Sequence, residues 1–179
     1  CNVTTDGGSS PAIFAAGGVS LRQAKLRATL SNSVSVSGAG SVSLSGCEVI
    51  GASGIVYTPE DGAQSAGSLT LENCLFSAAD NTPLSMSGGT FALTLKTQQL
   101  TGDLAVGAGA LTLALTGGSA YTGNIVADDF RCVSVSLDAG STWTLTGETN
   151  IGVLTDADAS LSNIVGNGNT LYYDSSLEG

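Results

Sequence analysis

The 179-residue chain contains no histidine, one methionine, one tryptophan and only five lysines and arginines. Each shortage removes a class of protein. Without histidine, the commonest general base and the commonest metal-ligating ring are both missing. Five scattered cations against fifteen acids, for a net charge of −10, cannot build the basic stripe that nucleic acid requires. No apolar run reaches the roughly 18 residues that a spanning helix needs. Neither a nucleic-acid partner nor membrane insertion is therefore expected. Aromatics are only 5% of the residues, so side chains that could stack on sugar rings are few.

What the chain has instead is 25 glycines, 24 serines and 19 threonines, beside 42% apolar residues. Valine, isoleucine and leucine recur too often for a disordered polar chain. The composition reads as an extracellular all-β protein of many short strands and many turns.

The segments repeat. VSLRQAKLRA from Val19 aligns with VSLSGCEVIG from Val42 and LTLENCLFSA from Leu69. One column holds Val19, Val42 and Leu69, and the next apolar column holds Leu21, Leu44 and Leu71. Gln23, Gly46 and Asn73 follow, then Ala24, Cys47 and Cys74, then Leu26, Val49 and Phe76. Apolar side chains alternate with period two, which is a strand with one face buried. The Gln/Gly/Asn column breaks that parity. Glycine and asparagine adopt positive φ most easily, as a sharp corner requires, and Gln23 suits it less well. A second family places Leu111, Leu113 and Leu115 over Val133, Val135 and Leu137, with Tyr121 over Trp143. Leu100-Thr-Gly-Asp-Leu104 resembles Tyr121-Thr-Gly-Asn-Ile125 and supplies a further rung.

Strand-and-turn repeats of roughly 20 to 27 residues predict a parallel β-solenoid, because each unit buries its apolar face only against its neighbours. About eight coils at about 4.8 Å each give a prism about 40 Å long. A leucine-rich repeat would add a fixed asparagine and a helix per unit, and neither is present. An antiparallel sandwich would not require corner residues to match column by column.

The LTLENCLFSA unit resembles the repeat of right-handed parallel β-helices, in which a strand, an asparagine-type corner and a second strand recur. Trp143-Thr-Leu-Thr-Gly147, Leu161-Ser-Asn-Ile164 and Gly168-Asn-Thr-Leu-Tyr172 resemble the ends of β-helix domains in bacterial secreted and surface proteins. Those include adhesin-like repeat proteins and autotransporter passenger domains. The resemblance implies an all-β, single-stranded, right-handed parallel β-helix, secreted or on the cell surface. Some related solenoids bind acidic polysaccharides with calcium. Cys1-Asn-Val-Thr-Thr5 reads as a strand already under way. Residues 1–179 are thus expected to form a single β-helix domain belonging to a longer solenoid. Open ends of such a stack invite end-to-end self-association.

The candidate chemistry is sparse. Cys47 and Cys74 share a column, and adjacent parallel strands hold Cα atoms within disulfide range, so they are either stacked thiols or a bridge. Asp128 and Asp129 beside Arg131 suggest the acids of polysaccharide-degrading β-helices, but such sites need several carboxylates converging from adjacent coils. Turn acids are the simpler reading. Calcium is a second use for the pairs Asp128–Asp129 and Asp156–Asp158, although neither carries a dense acidic motif. No other cofactor is expected. Ser35, Ser43, Thr70, Thr94, Thr112, Ser134 and Thr144 alternate with core positions and are expected to face outward. Such residues ladder well on a solvated sheet, and a flat, low-charge surface also suits a polysaccharide. Trp143 and Tyr121 have inward parity. The expected role is non-catalytic: an adhesin-like module binding glycans or host surfaces. A polysaccharide lyase or hydrolase and a ligand-free structural spacer are the alternatives.

Overall fold

The computed structural model describes residues 1–60 and 65–176. Strands are the only extended regular structure in it, and every strand pair is parallel. The chain winds through about eight turns of a parallel β-solenoid, and each full turn contributes three strand segments to three faces.

Face one stacks β1 (Asn2–Thr5), the start of β4 (Lys25–Ser37), the start of β6 (Glu48–Thr58) and β8 (Leu75–Ala78). It continues with β11 (Gln99–Thr101), β14 (Ala120–Thr122), β17 (Thr142–Thr144) and β20 (Ile164–Val165). Face two stacks β2 (Ile13–Ala15), the later parts of β4 and β6, β9 (Leu84–Met86), β12 (Leu104–Val106) and β15 (Ile125–Ala127). The pair β18 (Thr149–Ile151) and β21 (Leu171–Tyr173) completes it. Face three is one seven-stranded sheet. Its strands are β3 (Gly18–Arg22), β5 (Ser41–Ser45), β7 (Ala66–Glu72), β10 (Thr90–Lys96), β13 (Ala110–Thr116), β16 (Val133–Leu137) and β19 (Val153–Asp156).

The columns expected from the sequence are the observed registers. Val19 pairs with Val42 and Val42 with Leu69, while Leu21, Leu44 and Leu71 form the next ladder. Leu26, Val49 and Phe76 stack on face one, and Tyr121 lies on Trp143. The inward column Val19, Val42, Leu69, Leu93, Leu113, Val135 and Leu154 has spacings of 19 to 27 residues. Each interior rung is covered above and below by another apolar side chain, so Leu69, Leu93 and Leu113 lose all contact with water, while the end rungs Val19 and Leu154 are half-buried. Burying one such side chain stabilises the fold by roughly 1.5–3 kcal/mol. The core is thus a continuous stack without an intervening layer.

The corners impose a left-handed backbone whichever residue fills them. Gln23, Gly46, Asn73 and Thr97 all have φ between 48° and 60°, and each donates its N–H to a carbonyl of the next turn. Gln23 adopts the left-handed conformation although it is neither glycine nor asparagine. Where face one bends into face two, the constraint is steric. A Cβ on Gly123 would run into the carbonyl oxygen of Gly102, itself at φ 118°, so only glycine fits there.

Candidate ligand-binding groove

The corner between faces three and one carries an inward column that begins with Cys1 and Ala24 and continues through Cys47, Cys74, Gln98, Ser119 and Ser141. From Ala24 to Ser119, each backbone N–H donates to the side chain one turn ahead, and Ser141 ends the series by donating to the Asp138 carbonyl. The Ala24 amide lies 3.5 Å from Cys47 Sγ, and the Cys47 amide lies 3.4 Å from Cys74 Sγ. The Cys74 amide donates to Gln98 Oε1 at 2.7 Å, and Gln98 donates to Ser119 Oγ at 3.1 Å. Ser119 in turn donates to Ser141 Oγ at 3.0 Å. A thiol, an amide and a hydroxyl thus perform one task, satisfying a corner amide that no strand partner reaches. Sequence reading found only the cysteines of this ladder, because its members share a hydrogen-bonding role and not a residue type.

Of the two readings of Cys47 and Cys74, the structure holds the stacked thiols; both cysteines are free. Cys47 Sγ donates to the Ser45 carbonyl and Cys74 Sγ to the Glu72 carbonyl, each at 3.4 Å. Burial pushes the Cys74 thiol pKa up, which disfavours the reactive thiolate. Iodoacetamide should therefore label the exposed Cys1 and Cys132 rapidly in the native protein, the half-buried Cys74 slowly, and the buried Cys47 only after denaturation. Peptide mass mapping reads this directly, and rapid native labelling of either column thiol would contradict the ladder.

At Gln98 the wall changes. Strands β8 and β11 are neighbours on face one, yet among the described residues no backbone ladder joins them. The Gln98 side chain clamps the junction. It accepts from the Cys74 amide, and its Nε2 donates to the Cys74 carbonyl at 2.8 Å and the Gln99 carbonyl at 2.6 Å. Beside the clamp opens a cleft of about 660 Å³, lined by residues including Asn73, Leu75, Phe76, Thr97, Gln99 and Thr101. A second cleft of about 450 Å³, around Gln23, Lys25, Gly46 and Glu48, shares Asn73 and Leu75 with it. The two form a groove down the corner. Exposed amides (Gln23, Asn73, Gln99), hydroxyls and the 64%-exposed Leu75 supply its chemistry. Lys25 and Glu48 pair across turns at 3.5 Å, an exposed contact contributing at most about 1 kcal/mol.

The serine and threonine positions divide among the faces. Ser43, Thr70 and Thr94 form one outward column of face three, and Thr112 and Ser134 lie in the column beside it. Ser20, Ser136 and Thr155 extend the first column, interrupted by Ala114. Thr144 departs from this set: it tops a Thr101–Thr122–Thr144 ladder on face one. Ser35 sits on face two beside Phe14 and Val56. A three-sided turn sends equal parity to three directions, so the outward residues do not share one plane. Beside the face-three columns, Lys96 pairs with Glu72 at 2.8 Å, which lowers the Glu72 pKa.

The acids are held as turn residues. Asp129 accepts from the Arg131 amide at 3.1 Å and caps the 3₁₀ turn Phe130–Cys132, while Asp128 is exposed. Asp158 accepts from the amides and hydroxyls of Ser160 and Ser162, which hold its carboxyl far below the ordinary range. Asp156 occupies the inward column above Leu137 and accepts from the Asp158 amide and from Asn163 Nδ2. Among the described residues, no three acids or cysteines assemble into a metal-binding group. Calcium at Asp128, Asp129, Asp156 and Asp158 thus has no assembled ligand set to rest on.

Fold and groove together define a class by architecture: a parallel β-solenoid with an interrupted wall and polar clefts along one corner. Comparison with known proteins finds no matching family model, no similar curated protein and no matching solved structure.

Proposed function

We propose that this chain is a non-catalytic, secreted or surface-displayed solenoid that binds glycans, as an adhesin-like module does. The corner groove carries the reading. Its amide and hydroxyl side chains are suited to the paired hydroxyls of a sugar, and Leu75 offers an apolar contact for a ring face. Rigid strands set the spacing of these groups at about 4.8 Å per turn, so an extended chain can run along several turns. The acids favour this reading over a lyase or hydrolase, because Asp129, Asp156 and Asp158 spend their oxygens on neighbouring turn amides.

The test is a glycan array probed with the whole chain, with and without calcium, comparing wild type with Gln99→Ala and Asn73→Gly. Glycine at position 73 removes the amide while keeping the corner at its φ of 48°. Binding that both substitutions weaken supports the groove. An array without any bound glycan removes this reading and leaves a structural spacer.

A further inference from the structure

Face two of the last turns carries a different surface. Val126 is 58% exposed, Tyr172 52% and Phe130 39%, while Tyr57, Phe91, Tyr121 and Trp143 are wholly buried; Tyr173 in the last turn is 46% exposed, and Phe14, 64% exposed, lies far away on the first turn. Phe130 reaches this surface because Asp129 caps the 3₁₀ turn that carries it. Tyr172 stands beside Asn150 in the strand register, pointing outward. Two clefts meet here and share Phe130 and Asn150: one of about 420 Å³ with Val126 and Glu148, and one of about 360 Å³ with Tyr172 and Asp174. Among the described residues, no hydrogen bond engages the side chains of Glu148, Asn150 or Tyr172, so their polar atoms are free for a ligand.

We infer that these clefts form a saccharide site selective for neutral sugars, separate from the corner groove. The inference shares its ligand class with the proposed function but not its residues. Exposed aromatic faces pack on the apolar face of a pyranose, and an amide beside a carboxylate matches vicinal hydroxyls. Charge decides between sugar classes. Glu148 and Asp174 line the clefts, Asp128 and Asp129 immediately precede Phe130, and the one nearby cation, Arg131, lies 5.7 Å from the Phe130 ring centroid. Residues 98–179 carry nine acids against one cation. A uronate or sulfated sugar meets repulsion here, and a neutral one does not.

Calorimetric titration of the whole chain with cellohexaose, mannohexaose and hexagalacturonate tests this, using wild type, Phe130→Ala, Asn150→Ala and, as groove control, Gln99→Ala. A neutral hexaose should bind wild type and Gln99→Ala alike, and should bind Phe130→Ala and Asn150→Ala about tenfold more weakly. Hexagalacturonate should not bind at this site. Circular dichroism melts establish that each variant is folded; Asn150→Ala, on an exposed position, carries the test if Phe130→Ala is destabilised. Unchanged affinity in both face-two variants overturns the site, as does hexagalacturonate binding that Phe130→Ala weakens. Binding lost only in Gln99→Ala assigns the sugar to the groove and overturns this inference alone. Failure of every neutral hexaose to bind wild type at millimolar concentration overturns it as well.

Discussion

Trp143→Ala lowers the stability of the protein by about 3–5 kcal/mol, within the range for removing a large aromatic from a packed core. Three interactions are lost together. The indole is fully buried, its ring stacks on Tyr121 with centroids 5.8 Å apart, and its Nε1 donates to the Gly123 carbonyl at 3.1 Å. That carbonyl belongs to the corner where no Cβ fits, so the backbone has little room to collapse into the cavity. Trp143→Phe keeps most of the ring contact and loses the donor, so it should cost about 1–2 kcal/mol. Urea unfolding followed by circular dichroism measures both, since the substitution removes the only tryptophan. A loss under about 1 kcal/mol for Trp143→Ala would mean that the column is not the packed ladder described.

Gln98→Leu should cost about 2–4 kcal/mol, because a side chain of similar volume loses the clamp on both peptide groups it holds. The Cys74 amide and carbonyl each lose the Gln98 partner, in a buried corner where β8 and β11 offer no backbone replacement. Gln98→Glu separates packing from hydrogen bonding. It retains an acceptor for the Cys74 amide but turns the donor into a second acceptor facing the Cys74 carbonyl. Native-state hydrogen exchange should show the Cys74 amide losing protection in Gln98→Leu before the rest of face one. Equal protection in wild type and variant would place the stability of this junction elsewhere.

Much of the fold was legible because parallel coils leave little freedom. Residues one turn apart must occupy the same register, so Val19, Val42 and Leu69 could be read as neighbours from their spacing alone. Corner residues were legible for the same reason: Asn73 and Gly46 announce positive φ, and they draw Gln23 into the same conformation. The polar ladder was only half visible. Its thiols stood out as a pair, but Gln98, Ser119 and Ser141 continue the role with other chemical groups, and matching residue types misses them. The gap between β8 and β11 leaves no mark, since a missing ladder is not written in any residue. Parity alone places Thr144 with Thr94, because it distinguishes inside from outside and cannot distinguish three outsides. Phe130 escaped notice because capping by Asp129, a local backbone event, and not strand alternation, brings it to the surface.

The unpaired stretch between β8 and β11 also bears on cooperativity. A stacked array holds together through the coupling between successive coils, and its unfolding is as concerted as its weakest link permits. Turns four and five are joined by ladders on faces two and three, but on face one only by the Gln98 clamp at one corner and the Asp103 amide on the Asn81 carbonyl at the other, among the described residues. That junction is the weakest coupling along face one, although β9–β12 and β10–β13 still pair across it. Loosening under mild denaturant is then expected to begin at this junction, ahead of the rungs paired on all three faces.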